Sequence, residues 1–175
     1  MANAGCLALA KDTLKASLAD CDSFRTWVDA SGGSAQDQAL NRIHKDDLPP
    51  PGNSNAYTLA ELQALRPFAI IYTAGGFRKE YDASPAGFEN MGTLAVLLEQ
   101  DVPERIKNDP AAIADEFETV IGQIMDNLCD LVDQAPYLSI TAITMPEEWV
   151  RSDPKSEPDF GDAAMAMLFI EHKGI

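Results

Sequence analysis

The sequence predicts an α+β fold: a single four-stranded antiparallel sheet with a long helix and an N-terminal helix packed on one face. Strand-length runs of β-branched and apolar residues occur in two pairs, at 68–74 with 92–100 and at 137–145 with 163–172. Between the pairs, residues 113–132 keep one apolar face at the 3.6-residue period of a helix. Two hairpins that flank a long helix indicate one sheet with helices on one side.

Length and composition fit a single domain over residues 1–175. The chain is 46% hydrophobic and 23% charged, which lies within the range of globular domains. Its 13 Lys and Arg against 28 Asp and Glu give a net charge of −15. This charge argues against wrapping a phosphate backbone or lying on an anionic membrane. No run approaches the roughly 18 apolar residues of a membrane span.

The charge is unevenly distributed along the chain. Residues 1–80 carry 8 basic and 9 acidic side chains, whereas residues 81–175 carry 5 basic and 19 acidic ones. A nearly neutral half is therefore followed by a half with a net charge of −14.

The first third of the chain predicts a helix followed by a long loop. Residues 7–21 place apolar side chains on one helical stripe, and two aromatic residues continue it through a last turn or a short second helix. These residues are Leu7, Leu14, Leu18, Cys21, Phe24 and Trp27. Residues 29–57 are predicted to be mostly loop, because the prolines at 49–51 exclude regular structure. Loops of this length tend to serve a function or to order on a partner.

The middle of the chain predicts a short helix and then a hairpin. Thr58 and Glu61 have capping-box spacing, so a helix should run over about 59–65 and end before Pro67. The glycine-rich and polar residues 75–91 are predicted to be the extended tip between two antiparallel strands.

The long helix has a clear start and an acidic side. Asp109 and Pro110 supply an N-cap and a proline at the first helical position. The side opposite its apolar face carries carboxylates, among them Asp126, Asp130 and Asp133. The last two strands are predicted to be joined by a polar loop at 151–162, with the first strand extending toward Trp149.

No motif predicts a catalytic residue, a cofactor or a metal. His44 and His172 are too few and too far from any cysteine spacing to predict zinc. GxSxG, Walker and GxGxxG motifs are absent from the sequence. The three cysteines, Cys6, Cys21 and Cys129, lack CxxC spacing and are interpreted as buried thiols of a reducing compartment.

One alternative is a metal-dependent nuclease. Asp159, Glu171 and Lys173 have the outline of a PD-(D/E)xK site, in which carboxylates hold a divalent cation and a lysine acts on the attacking water. Glu171 and Lys173 would share one face of a strand. Two observations oppose it: Lys173 lies near the chain end, and the acidic half is a poor surface for DNA.

Three further interpretations concern partners and packing. An acidic DNA mimic that inhibits a DNA-binding enzyme is favoured by the charge alone. Trp149 and Arg151 are candidate interface residues because both types are enriched at binding hot spots, although Trp149 is equally compatible with a core position. Met145, Met165 and Met167 are interpreted as filling gaps in the core.

The order of several segments resembles the tail terminator proteins of long-tailed bacteriophages, also called tail completion or head-to-tail joining proteins. The resemblance covers most of the chain, except residues 29–57 and 151–162. It rests on a first helix leading into SFRTW, then RPFAIIYTAGGF, MGTLAVLLEQDVP, an acidic amphipathic helix, and AAMAMLFIEHKG.

The resemblance implies a structural virion protein rather than an enzyme, assembled in the host cytoplasm. Such a protein forms a homohexameric ring that caps the tail tube, ends its polymerisation and joins it to the connector or neck of the head. DNA passes through the ring, and no cofactor or membrane is involved. A closed ring needs two different complementary patches on each subunit. A related neck or head-completion protein is the alternative within this class.

Two groups of residues follow as candidates from this implied role. Asp126, Asp130 and Asp133 are candidates for lining the channel, where carboxylates would repel phosphate and let DNA slide. The hairpin-tip residues Phe77, Arg78 and Lys79 are candidates for contacts with the tube or with a neighbouring subunit. The loops at 49–57 and 74–90 are expected to become ordered on docking.

Overall fold

The computed structural model describes residues 4–52, 56–75, 78–81, 88–132, 138–145 and 149–174. These ranges contain five α-helices and seven β-strands. The helices are α1 (Ala4–Asp20), α2 (Asp22–Trp27), α3 (Ala35–Leu40), α4 (Leu59–Leu65) and α5 (Pro110–Val132). The strands are β1 (Ile43–Lys45), β2 (Phe68–Thr73), β3 (Arg78–Tyr81), β4 (Phe88–Asp101), β5 (Ser139–Thr144), β6 (Val150–Arg151) and β7 (Ala163–Gly174).

The strands form one sheet in the order β1-β2-β4-β7-β5, with β3 paired to β4 and β6 paired to β7. The long strands β4 and β7 pair antiparallel, from Asn90 opposite Gly174 to Asp101 opposite Ala163. β1 runs parallel to β2, and the other pairings are antiparallel. The predicted α+β class is confirmed. The predicted sheet of four antiparallel strands is wrong, because the described sheet has seven strands and one parallel pair.

The strands that the sequence did not predict are short. β1, β3 and β6 contain 3, 4 and 2 residues, which is too little for a recognisable alternation of apolar and polar positions. Each pairs with the edge of a longer strand, so its position depends on a partner that is distant in sequence. The loop predicted at 75–91 therefore contains β3 and the start of β4. Trp149 and Val150 belong to no extension of β5, which ends at Thr144.

The stretch predicted to be mostly loop, residues 29–57, also contains short elements that the sequence did not predict. This stretch contains a 3₁₀ turn at Gly32–Ser34, then α3 and β1. Ala39 and Ile43 are buried in the core, which holds the stretch against α1 and the sheet. Burial of these two side chains stabilises elements of six and three residues, which are too short to be stable alone.

One face of the sheet, called here the helix face, packs against α1, α2 and α5. Alternate residues of β4 and β7 point into this core, where the apolar side of α5 meets them. The buried side chains from these elements include Leu14, Leu18, Phe24, Leu94, Val96, Leu98, Phe117, Ile121, Ile124, Leu168 and Ile170. The predicted packing of the long helix and the N-terminal helix on one face is present.

The predicted helix starts are confirmed. Asp109 Oδ1 accepts a hydrogen bond from the Ala112 N–H at 3.1 Å, at the start of α5. At α4, the Thr58 side chain accepts from the Glu61 N–H at 3.3 Å, and a Glu61 carboxylate oxygen accepts from the Thr58 N–H at 2.8 Å. No helix in the described ranges combines the length and the apolar character needed to cross a membrane.

The other face of the sheet, called here the second face, is covered at one end by ionic contacts. Arg66, which ends α4, has a fully buried side chain. Its Nε donates to Glu99 Oε1 at 2.7 Å, and its Nη1 donates to Asp101 Oδ1 at 2.8 Å and to the Phe160 carbonyl at 2.9 Å. Glu99 and Asp101 point to the face opposite that of Leu98, because successive residues of a strand point to opposite faces. Their contacts with Arg66 therefore hold the end of α4 against the second face. The prediction that the helices lie on one face does not hold for α4.

Candidate functional site

The acidic side of α5 faces solvent. Asp126 and Asp130 are both exposed, and neither has an ion-pair partner among the described residues. Asp115 and Glu118 are exposed on the same helix. Asp133, the third candidate for lining a channel, lies outside the described residues. The arrangement is a row of carboxylates along one side of a long helix.

Contacts on the opposite side fix the rotation of α5. Asn127 Oδ1 accepts hydrogen bonds from the Ser23 N–H at 3.2 Å and from the Ser23 hydroxyl at 2.8 Å. Phe117 and Leu128 are fully buried in the core. Because these residues hold the buried side toward α2 and the sheet, Asp126 and Asp130 are held outward.

Trp149 and Arg151, the predicted interface residues, make contacts within the chain. The Trp149 ring packs edge-on against Phe117, with 6.0 Å between ring centroids, and its indole N–H donates to Glu118 Oε1 at 3.2 Å. Arg151 donates from Nε and Nη2 to the two carboxylate oxygens of Asp162, at 2.6 Å each. The hydrogen bonds to Asp162 raise the pKa of Arg151. These contacts give both side chains a structural role, and a role at an interface stays a prediction.

A cleft of about 670 Å³ lies beside Arg151, between the turn before α5 and the loop after β6. Its ionisable lining is balanced in charge, with three basic and three acidic side chains: Lys107, Arg151, Lys155, Glu104, Asp153 and Asp162. Arg151 Nη2 also donates to the Lys107 carbonyl at 2.8 Å, which joins the two walls. The formal charges of these side chains therefore sum to zero.

The predicted hairpin-tip contacts are described only in part. Arg78 and Lys79 belong to β3, where Arg78 stands opposite Met91 and Lys79 opposite Asn90. Phe77 lies outside the described residues. The sequence placed these residues in a turn, and the two described ones instead lie in a strand.

The residues of the nuclease alternative do not converge. Asp159 precedes Ala163, where β7 begins, whereas Glu171 and Lys173 lie near the other end of that strand. Ala163 and Glu171 are roughly 26 Å apart along a strand that rises about 3.3 Å per residue. One cation cannot contact both carboxylates across this distance. In the part of the chain that the structure describes, no three His, Cys, Asp or Glu side chains group closely enough to hold a metal ion.

The described cysteines differ in burial. Cys21 is buried, and burial is the main cause that raises the pKa of its thiol to about 12. Cys129 is exposed on α5, so its interpretation as a buried thiol is wrong. The side chain of Cys6 lies outside the described residues.

Comparison with known proteins adds no identification. No family model matches the chain, and no curated protein matches it.

The surface that the sequence interpretation missed is the second face of the sheet. Its side chains form rows across β2, β4 and β7: Ile70 with Leu97 and Met167, and Tyr72 with Ala95 and Phe169. Met165 stands beside Val150 of β6 in the next row. We call the solvent-accessible members the apolar stripe. They are Tyr72, Leu97, Val150, Met165, Met167 and Phe169.

Exposure along the apolar stripe contradicts part of the sequence interpretation. Met167 is 39% exposed and Val150 is 54% exposed, while Met165 is only partly buried. The interpretation of Met167 as a core residue is therefore wrong. The available signal was the uninterrupted apolar character of 68–71, 94–98 and 163–170, because a strand with one face in water should alternate with polar residues.

Proposed function

We propose that this chain is a tail terminator protein of a long-tailed bacteriophage, which forms a hexameric ring on the end of the tail tube and joins it to the head. The ring stops further polymerisation of the tube and lets DNA pass through its hole. The protein acts by assembly and has no catalytic residue in this role. It belongs to the virion, at the tail or neck.

The observation that carries the proposal is the position of the segments that resemble the family. RPFAIIYTAGGF contains β2, MGTLAVLLEQDVP lies mostly in β4, and AAMAMLFIEHKG is β7. β7 is far from β2 and β4 in sequence, yet the three strands are neighbours in the order β2-β4-β7. The resemblance therefore concerns one contiguous part of the sheet, with the acidic helix α5 packed behind it.

The exposed carboxylates of α5 support a role for this helix in DNA passage. Asp126 and Asp130 project from the side of α5 that the core does not use. Facing a channel, they would repel phosphates and keep DNA from binding to the wall. The large negative charge of the second half is then compatible with DNA that passes without being held.

Ring formation is tested by native mass measurement and electron microscopy of the purified protein, alone and with the tube protein of the same virus. We expect rings of six copies, free or at tube ends, and tubes of defined length when the protein is present. A neck or head-completion protein would form rings without limiting tube length. Absence of any ring and of any binding to tube ends would contradict the proposal.

The channel role is tested by charge reversal on α5. We expect the Asp126→Lys/Asp130→Lys ring to retain DNA more strongly than the wild-type ring, because each lysine adds a phosphate contact, and the gain should fall with added salt. The control is a ring with Asp37→Lys, which reverses an exposed carboxylate of α3. Equal DNA binding and equal DNA release by all three rings would contradict a channel position for α5.

A further inference from the structure

We propose that the apolar stripe on the second face binds a second protein through a segment with apolar side chains in a row, flanked by Lys or Arg. The stripe consists of Tyr72, Leu97, Val150, Met165, Met167 and Phe169. This inference is independent of the role in tails, because it rests on the sheet and its margins alone.

The strands of the sheet have the composition of strands buried on both faces. β7 places Ala164, Ala166, Leu168 and Ile170 in the helix-face core, and the residues between them are also apolar. Strands that face water on one side usually alternate apolar with polar residues. The helix-face core is built with α1, α2 and α5, so these helices supply a layer for one side of β7 only. The composition of the strands therefore predicts a second layer, which the described residues of this chain supply only in part over the stripe.

The register makes the stripe continuous. Leu97 stands directly opposite Met167, and Ala95 opposite Phe169, in the antiparallel pairing of β4 with β7. Cross-strand neighbours on one face have Cβ atoms about 5 Å apart, so their side chains contact one another. Val150 extends the surface beyond Met165 on the outer side of β7.

The size of the stripe matches one segment of a partner rather than a whole interface. Three strands about 4.8 Å apart and three side-chain rows about 6.8 Å apart span roughly 300 Å². The stripe occupies only part of this area, because Phe68, Ile70, Ala95 and Glu99 of the same rows are buried. It is therefore less than half of the about 800 Å² that each partner buries in a standard interface. A single strand or helix of a partner would cover it.

The margins of the stripe are acidic. Asp46 and Asp47 lie near Tyr72, where burial and then the charges of Asp47, Glu99 and Asp46 raise the pKa of the phenol. Asp46 is paired with Lys11, whereas Asp47 has no ion-pair partner among the described residues. Glu171 is exposed on the same face of β7, two residues after Phe169. Carboxylates on more than one side of an apolar surface favour a partner that brings positive charge.

The loop before β7 and the nearby basic groups support the same conclusion. This loop reaches the second face at Phe160, and it carries the exposed carboxylates Glu157 and Asp159. Arg66 is paired with Glu99 and Asp101, so it does not neutralise these margins. Lys173 lies beyond Glu171, near the end of β7.

The acidic margins also decide against a symmetric pair of copies as the occupant. Two copies that met through this face would bring their acidic margins together. Like charges placed against each other across an interface oppose association. A partner with Lys or Arg beside its apolar residues turns the same margins into attractive contacts.

The experiment measures binding of the purified full chain to a labelled peptide, Leu-Lys-Leu-Lys-Leu-Lys-Leu, by fluorescence anisotropy at about 150 mM salt, where surface charges are partly screened. The control peptide replaces each Leu by Ser and keeps the charge. We expect the Leu peptide to bind about tenfold more tightly, because it buries side chains on the stripe. Equal binding of the two peptides, or no binding of the Leu peptide, would overturn the proposal.

Two variants locate the binding. Met167→Glu adds a negative charge on the stripe, and Leu9→Glu adds the same charge at another exposed apolar residue, which is 43% exposed on α1. We expect Met167→Glu to weaken binding about tenfold through lost apolar contact, while Leu9→Glu leaves it unchanged or stronger. Attraction by charge alone predicts tighter binding by both variants, and that result would overturn the proposal.

A replacement variant and a mass measurement cover two further outcomes: a variant that does not fold, and a second copy as the occupant. If Met167→Glu fails to fold, Val150→Glu takes its place, because Val150 is 54% exposed and paired only at the sheet margin. Sedimentation of the wild type and of the stripe variant then compares their masses. A wild type that self-associates and a variant that does not would identify a second copy as the occupant and overturn the proposal.

Discussion

The two faces of the sheet are made by alternate residues of the same strands, yet they are closed in different ways. On the helix face, Leu94, Val96 and Leu98 are fully buried by packing against helices. On the second face, a buried Arg66 and Glu99 pair closes one end, and the apolar stripe stays accessible. The apolar composition of a strand therefore does not determine whether its side chains are buried. Burial requires a layer above the strand, and the sequence of the strand does not encode that layer.

The largest expected effect comes from breaking the ionic closure of the second face. Arg66→Ala should lower the free energy of unfolding by about 3–5 kcal/mol, because it leaves the buried Glu99 carboxylate without its partner. The loss is measured by urea unfolding followed by circular dichroism. Arg151→Ala is the comparison, since its pair with Asp162 is partly exposed and should contribute no more than about 1 kcal/mol.

A double variant separates charge from packing at the same place. Arg66→Met combined with Glu99→Leu removes both charges and keeps most of the side-chain volume. We expect it to recover most of the stability lost in Arg66→Ala, because replacing a buried ion pair by apolar residues is often neutral. A double variant as unstable as Arg66→Ala would show that the geometry of the contact with Phe160 and Asp101, rather than the unpaired charge, determines the loss.

The next largest effect is the difference in stability loss between truncations of two neighbouring leucines on opposite faces. Leu98→Ala should lower the free energy of unfolding by about 2–5 kcal/mol, since Leu98 is fully buried on the helix face and its loss leaves a cavity. Leu97→Ala, on the second face, should cost only about 1 kcal/mol, because the side chain is already partly exposed. Both are measured by urea unfolding. Equal losses would mean that the stripe is as well packed as the core.

The smallest expected effect is a pH dependence of the free energy of unfolding, caused by His172 near the end of β7. His172 is buried opposite Gly92 and Ile140, and neither ring nitrogen has a hydrogen-bond partner among the described residues. Burial lowers the pKa of His172 below its usual 6.5. As the pH falls below that value, the unfolded chain binds a proton that the folded chain does not, so stability decreases. The slope is at most about 1.4 kcal/mol per pH unit for one proton.

The His172→Leu variant tests this assignment. Urea midpoints of the wild type should fall between about pH 7 and pH 5, around the unperturbed pKa of histidine. Those of His172→Leu should fall less. His44 contributes to the remaining slope, because burial, followed by the charges of Lys15 and Arg42, lowers its pKa. Identical slopes for the wild type and His172→Leu would contradict the role of His172.

Features set by residues close in sequence were predicted from the sequence. The capping box of Thr58 and Glu61 and the start of α5 at Asp109 depend on contacts three residues apart, which a linear pattern records directly. The four long strands were also located by their composition, with errors at their ends. Among the candidate site residues, the outward position of Asp126 and Asp130 followed from the helical period of α5.

Features set by distant pairing were missed. β1 exists because Ile43 to Lys45 meet Ala69 to Ile71 across a parallel pair, and nothing in three residues indicates such a partner. The same reason applies to Arg66, which the sequence shows as an ordinary charged residue at a helix end. The contacts of Trp149 and Arg151 within the chain were equally invisible, since Phe117 and Asp162 are brought to them by the fold.

The sequence by itself determined the α+β class, the starts of α4 and α5, and the division into a neutral and an acidic half. These are local or additive properties, so residue order and composition suffice for them. Only the tertiary structure decided which alternate residues of β2, β4 and β7 are covered, because coverage depends on where the helices pack. The structure places part of the net charge of −15 in two locations, which are a row of carboxylates on α5 and the acidic margins of an apolar stripe.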